Sequence, residues 1–83
     1  MEKILLEIPD EVLISLKETP SEFSRDLLML AAVKLYQMGK LSSGRAAQLA
    51  GIPRVSFLQS LSRYHVPIFD LTSEELKQDF ENA

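Results

Sequence analysis

Four basic residues and a glutamine between positions 40 and 63 have the types and spacing that suit contact with a nucleic acid. If a helix starts after Pro53, its outward side carries Arg54, Val55, Ser56, Gln59, Ser60 and Arg63. Arg pairs bidentately with the guanine edge and Gln with the adenine edge, while a Val methyl packs on a thymine methyl. Ser56 suits a phosphate oxygen. Lys40 and Arg45, which precede this stretch, suit the sugar–phosphate backbone.

The element that would present these side chains is a helix-turn-helix. It needs a small residue in the first helix, a residue tolerant of positive φ in the turn, and spaced apolar residues on the inner side of the second helix. Ala47, Gly51, Phe57 and Leu61 meet those needs in order, with Ala46 and Ala50 as small neighbours and Ile52 packing the turn. The same spacing occurs in helical hairpins that never touch DNA. The alternative is therefore a protein–protein adaptor whose helix-turn-helix is structural only.

Charge distribution favours the first reading. The net charge of −3 says little, but residues 27–69 hold no Asp or Glu and five basic residues, Lys34, Lys40, Arg45, Arg54 and Arg63. Residues 1–26 and 70–83 each carry a net −4. Even scattering would place about six acids in the middle window. A surface built from that window repels no phosphate.

The elements around the motif follow from periodicity and capping. Ile4, Leu6 and Ile8 alternate with Lys3, Leu5 and Glu7, the period of a half-buried strand over 2–8. Pro9, Asp10 and Glu11 suit a first helical turn, and the short helix to about Lys17 is expected to bury Val12, Leu13 and Leu16. Thr19-Pro20-Ser21-Glu22 is a capping box. It opens a helix that should reach Met38, with Gly39 as its stop. One apolar stripe there is Phe23, Leu27, Leu30, Ala31, Leu35 and Met38, and a second is Leu28, Ala32 and Tyr36. This is more apolar surface than one flank needs, and a second copy is expected to cover it. Ser42 caps the first helix of the motif. Val66-Pro67-Ile68-Phe69 is extended and apolar, and Thr72-Ser73-Glu74-Glu75 opens a final acidic helix.

The expected fold is mainly α: a short N-terminal strand, a helical dimerisation region, a helix-turn-helix and a C-terminal acidic helix. The divisions are 1–38 for dimerisation, 39–64 for the helix-turn-helix and 65–83 for a partner-binding tail. A ribbon-helix-helix would also place a strand before two helices. Its outward ribbon residues would be Lys3, Leu5 and Glu7, one apolar and one acidic, a poor set beside phosphates.

The order of the strand, Ile8-Pro9-Asp10-Glu11-Val12-Leu13, Ala31-Ala32-Val33-Lys34-Leu35-Tyr36, Gly39-Lys40-Leu41-Ser42, Ala46-Ala47-Gln48-Leu49-Ala50-Gly51 and Phe57-Leu58 resembles a family of small uncharacterised prokaryotic proteins. That family is often treated as antitoxin-like, with genes beside PIN-domain nuclease-like toxins. The resemblance covers almost the whole chain. It implies a dimeric DNA-binding protein that represses its own operon and blocks a protein toxin with its C-terminal tail. Where many members carry a second Gly near Tyr64, this chain has Ser62 and His65. The tail has independent support, because Val66, Ile68, Phe69 and Leu71 are apolar and Leu76 and Phe80 lie one turn apart among acids. Such a segment can add a strand or lay a helix into a groove of a partner. The same residues also suit an ordinary C-terminal helix folded on its own domain.

Other functions find little support. The 83 residues hold no Cys and one His, which excludes disulfide scaffolds, thiolate metal sites and multi-histidine centres. His65 has no neighbouring carboxylate or nucleophile and reads as a helix-end residue. Ser42, Thr19 and Thr72 read as caps rather than nucleophiles. Gly39, Gly44 and Gly51 are too far apart for a phosphate loop. No enzyme activity and no cofactor is expected. The longest apolar run, Leu27 to Val33, is far short of the roughly 20 residues of a membrane span. Met1-Glu2-Lys3 with polar Glu7 does not read as a signal peptide, so a cytoplasmic homodimer is expected.

Overall fold

The computed structural model of the chain describes residues 1–68. Four α-helices follow one another: α1 (Asp10–Leu16), α2 (Pro20–Gln37), α3 (Ser43–Ala50) and α4 (Arg54–Ser60), and a 3-10 turn over Leu61–Tyr64 extends α4. No strand occurs among the described residues. This corrects the expectation for residues 2–8, and the reason is pairing. A strand exists only against a second strand, and the described part of this chain offers no other segment of that kind.

Local sequence signals place the helix ends. Asp10 and Glu11 lie in the first turn of α1, where carboxylates offset the helix dipole. Lys17 ends that helix in the left-handed region at φ 57°. The capping box of α2 is complete. The Glu22 amide donates to Thr19 Oγ1 at 3.2 Å, and the Thr19 amide donates to Glu22 Oε1 at 3.0 Å. The Thr19 amide, and after it the Thr19 hydroxyl, hydrogen-bond the Glu22 carboxylate and hold it below its usual pKa. Beside it, Glu18 is pushed upward, first by its carboxyl–carboxyl hydrogen bond with Asp26, then by desolvation and the neighbouring negative charges. Gly39 stops α2 at φ 75°, and the Lys40 amide reaches back to the Leu35 carbonyl at 2.9 Å.

Among the described residues, the core is drawn from Ala32 onward. Ala32, Val33 and Tyr36 of α2 meet Ala46 and Ala47 of α3, Phe57 and Leu58 of α4, then Leu61 and Val66. The Tyr36 and Phe57 rings pack edge to face, with centroids 5.7 Å apart and an interplanar angle of 87°. Such a contact is worth about 0.5–1.5 kcal/mol beyond area burial.

Two packing expectations change. On α1, Val12 and Leu16 are exposed, Leu13 is half-buried, and the helix buries nothing fully. On α2, Leu30 and Met38 of the first expected stripe are exposed, and the buried side is Ala32, Val33 and Tyr36. The cause is geometric: α3 and α4 meet the C-terminal half of α2, so full burial begins at Ala32, with Met29 packed half-buried beside it.

Candidate nucleic-acid interface

The turn between α3 and α4 is built as the helix-turn-helix spacing requires. Ser42 caps α3 by accepting from the Arg45 amide at 3.3 Å. Gly51 ends α3 at φ 73°, where a side chain would be strained. Its amide donates to the Gln48 carbonyl at 3.2 Å, and the Ile52 amide donates to the Ala47 carbonyl at 3.1 Å. This six-to-one pattern closes the helix and turns the chain sharply. Pro53, at φ −61°, then precedes the first turn of α4. Ala46 and Ala47 are buried against Phe57, so their small size is what lets α4 approach α3. Nearby, Ile52 is half-buried and packs on the core.

Most of the expected contact residues lie on the outside. Lys40, Arg45, Ser56, Gln59 and Arg63 are exposed, and Arg54 and Val55 are half-buried. Arg63 sits on the 3-10 turn rather than on α4 itself. Ser60 is different: it is only 3% exposed. Its hydroxyl donates to the carbonyls of Ser56 at 2.9 Å and Phe57 at 2.8 Å. The reason is rotation, since Ser60 stands three residues after Phe57 and shares its inner side. It leaves the candidate contact set.

Arg54 is held in place. Its Nε donates to Ser43 Oγ at 2.9 Å, across from the first position of α4 to the first position of α3. Ser43 is fully buried, where a hydroxyl needs hydrogen bonding, and Arg54 supplies a bond to it. Sequence reasoning did not single out Ser43. The available signal was a second Ser directly after the cap Ser42, at a position where one hydroxyl suffices. Gln48 was also missed as a contact neighbour. Its Oε1 accepts from Arg45 at 2.9 Å, which braces the guanidinium one turn away. Arg45 and Gln48 are three apart on one helical face, a spacing the sequence already displays.

A groove of about 340 Å³ runs beside this face, between α2 and the α3–α4 turn, with Arg25, Asp26, Ser56 and Arg63 on its walls. The acid on its wall is Asp26 of α2, and residues 27–68 carry none.

The expected tail residues divide. Val66 is buried, belongs to the core, and its amide donates to the Leu61 carbonyl at 3.1 Å. It is a structural residue of the helix-turn-helix end, which corrects its assignment to the tail. Ile68 is exposed. Phe69, Leu71, Leu76, Phe80 and the expected acidic helix lie outside the described residues. His65 ends the 3-10 turn at φ 57°, exposed, the conformation a glycine would adopt freely. Among the described residues no group of three His, Asp or Glu side chains can hold a metal. No described helix is long and apolar enough to cross a membrane.

The described residues define a small, mainly helical protein, and comparison with known proteins adds the family. The chain belongs to the uncharacterised protein family UPF0175, whose pattern matches residues 1–83. A UPF0175 protein of Aeropyrum pernix is 35% identical over 81 residues, covering 98% of this chain and 85% of the relative. A second from the same organism is 33% identical over 73 residues, covering 83% of this chain and 91% of the relative. One from Archaeoglobus fulgidus is 41% identical over 54 residues, covering 64% of this chain and 60% of the relative. No solved structure matches.

Proposed function

We propose that this chain is a DNA-binding, antitoxin-like repressor that acts as a homodimer in the cytoplasm. It represses its own operon and neutralises a PIN-like toxin through its C-terminal residues. The observation that carries the reading is the face of α3 and α4. There Lys40, Arg45, Gln59 and Arg63 are exposed, Arg54 is aligned beside them, and no carboxylate lies between residues 27 and 68. Arg54 and Gln59 take the base edges, Val55 a thymine methyl, and Lys40, Arg45, Ser56 and Arg63 the phosphates. Ile68 and the residues after it, Phe69, Leu71, Leu76 and Phe80, engage the toxin.

One observation favours a second reading. The Arg54–Ser43 bond ties the leading contact residue into the scaffold, as it would in an adaptor whose helix-turn-helix is structural only. Nuclease protection separates the two. A repressor protects a discrete site in the DNA upstream of its own gene, and Q59A erases that protection while the fold persists. An adaptor protects nothing there, and its retained partner is indifferent to Q59A.

A further inference from the structure

From Met1 to Ala31 no residue is buried; the first buried side chain is Ala32. Yet this stretch is rich in apolar residues. Ile4 is 83% exposed, Leu5 92% and Leu6 60%. They border an open groove of about 420 Å³ whose floor includes Leu13, Phe23 and Leu27. None of the backbone hydrogen bonds among the described residues involves residues 2–8. Among the described residues this alternating segment has no backbone partner, and it borders an open apolar groove, the setting in which a second strand adds.

We propose that residues 2–8 pair antiparallel with residues 2–8 of a second copy, with Leu5 on the two-fold axis. The register follows from two constraints. A two-fold axis perpendicular to a ribbon keeps each residue on the same side in both copies, so opposed residues must differ by an even number of positions. Among such registers, centring on Ile4 places Lys3 opposite Leu5, and centring on Leu6 places it opposite Pro9. Only the centre at Leu5 sets Lys3 opposite Glu7 of the second copy, and it does so twice. The same register sets Ile4 opposite Leu6 of the second copy on the other side of the ribbon. That side then closes the apolar floor over Phe23 and Leu27 of both chains. Charge complementarity and backbone complementarity thus select one occupant, a second copy. The inference deepens the homodimer of the proposed function and needs nothing from the DNA reading, because self-association is measured without DNA.

Charge reversal tests it on the full chain. Sedimentation equilibrium should show K3E and E7K each dimerising about tenfold or more weakly than the natural chain, since each turns two attractive pairs into repulsive ones. An equimolar mixture of the two variants should regain the natural affinity, because the mixed dimer restores both opposite-charge pairs. The K3E/E7K double variant should regain it as well. Single variants that dimerise normally, a mixture that stays weak, or a natural chain that stays monomeric would overturn the proposal. A groove filled instead by residues 69–83 of the same chain, or by a different protein, gives one of those results. The chain has no native cysteine, so a single introduced one reports only contacts between copies. Oxidised L5C should form a disulfide-linked dimer much faster than Q37C, placed at the exposed end of α2; equal rates would overturn the register.

Discussion

Arg54 Nε donates to Ser43 Oγ at 2.9 Å, and this one bond links the start of the first helix of the motif to the start of the second. It does two things at once. It satisfies a fully buried hydroxyl, and it fixes the direction of the guanidinium most suited to a base edge. Ser43→Ala should lower stability by about 1.5–3 kcal/mol in urea melts, the range for a hydrogen bond to a charged group. Its effect on DNA should be a loss of sequence preference larger than the loss of non-specific binding, because the charge remains while its aim is lost. Equal losses on both would show that the bond serves the fold alone.

His65 offers a test of backbone strain. It holds φ 57° at the end of the 3-10 turn, a region that costs a side chain about 1–2 kcal/mol. His65→Gly should raise stability by about 1 kcal/mol, seen as a thermal midpoint higher by roughly 4–8 °C. An unchanged or lower midpoint would mean that the imidazole makes up for the strain.

Val66 is the last buried side chain among the described residues. Cutting the chain after Ile68 should leave the helical core intact by circular dichroism, while Val66→Ala should cost about 2 kcal/mol. If residues 69–83 carry the toxin contact, the shortened chain should lose co-purification with the toxin and keep its DNA affinity. Retained toxin would place that contact elsewhere.

The start of α2 should respond to acid with two opposite signs. Glu22 is lowered by the backbone and side-chain hydrogen bonds from Thr19 to its carboxylate, so its contribution is complete above the ordinary carboxylate range. It fades as the pH falls through the lowered value. Glu18 is raised, so its shared proton with Asp26 favours the folded chain at low pH, and that support is lost as the pH rises through the raised value. Glu18→Gln should therefore raise stability near neutral pH and have little effect below the carboxylate range. Glu22→Gln should lower stability near neutral pH, with the difference shrinking in acid. Thermal melts across pH 3–7 would read both; the same sign for both variants at neutral pH would contradict the assignment.

What was legible in the sequence was local. Thr19, Glu22, Ser42, Gly39 and Gly51 each act within about one turn of themselves, and each stands where its type predicted. The inner residues of the motif, Ala47, Phe57 and Leu61, were legible for the same reason, since a 3.6-residue period assigns them one side. What was not legible depended on which elements meet. The sequence of α2 shows apolar residues around much of its girth, and only the position of α3 and α4 selects Ala32, Val33 and Tyr36 as the buried ones. Ser60 and Ser43 failed for a related reason: a serine is small enough to sit on either side, and its polarity misleads. The strand expected at 2–8 has the right period but, within one chain, no second strand.

Whether α3 and α4 read DNA, as proposed, is decided by fluorescence anisotropy with the DNA upstream of this protein's own gene. Tight binding is expected, exceeding binding to scrambled DNA of equal length. The affinity should fall steeply with salt, with a slope reduced by about one for each of Lys40, Arg45 and Arg63 changed to Ala. Gln59→Ala should erase the preference for the natural sequence. Equal, weak binding to both DNAs, or binding that ignores salt and all four substitutions, would contradict it.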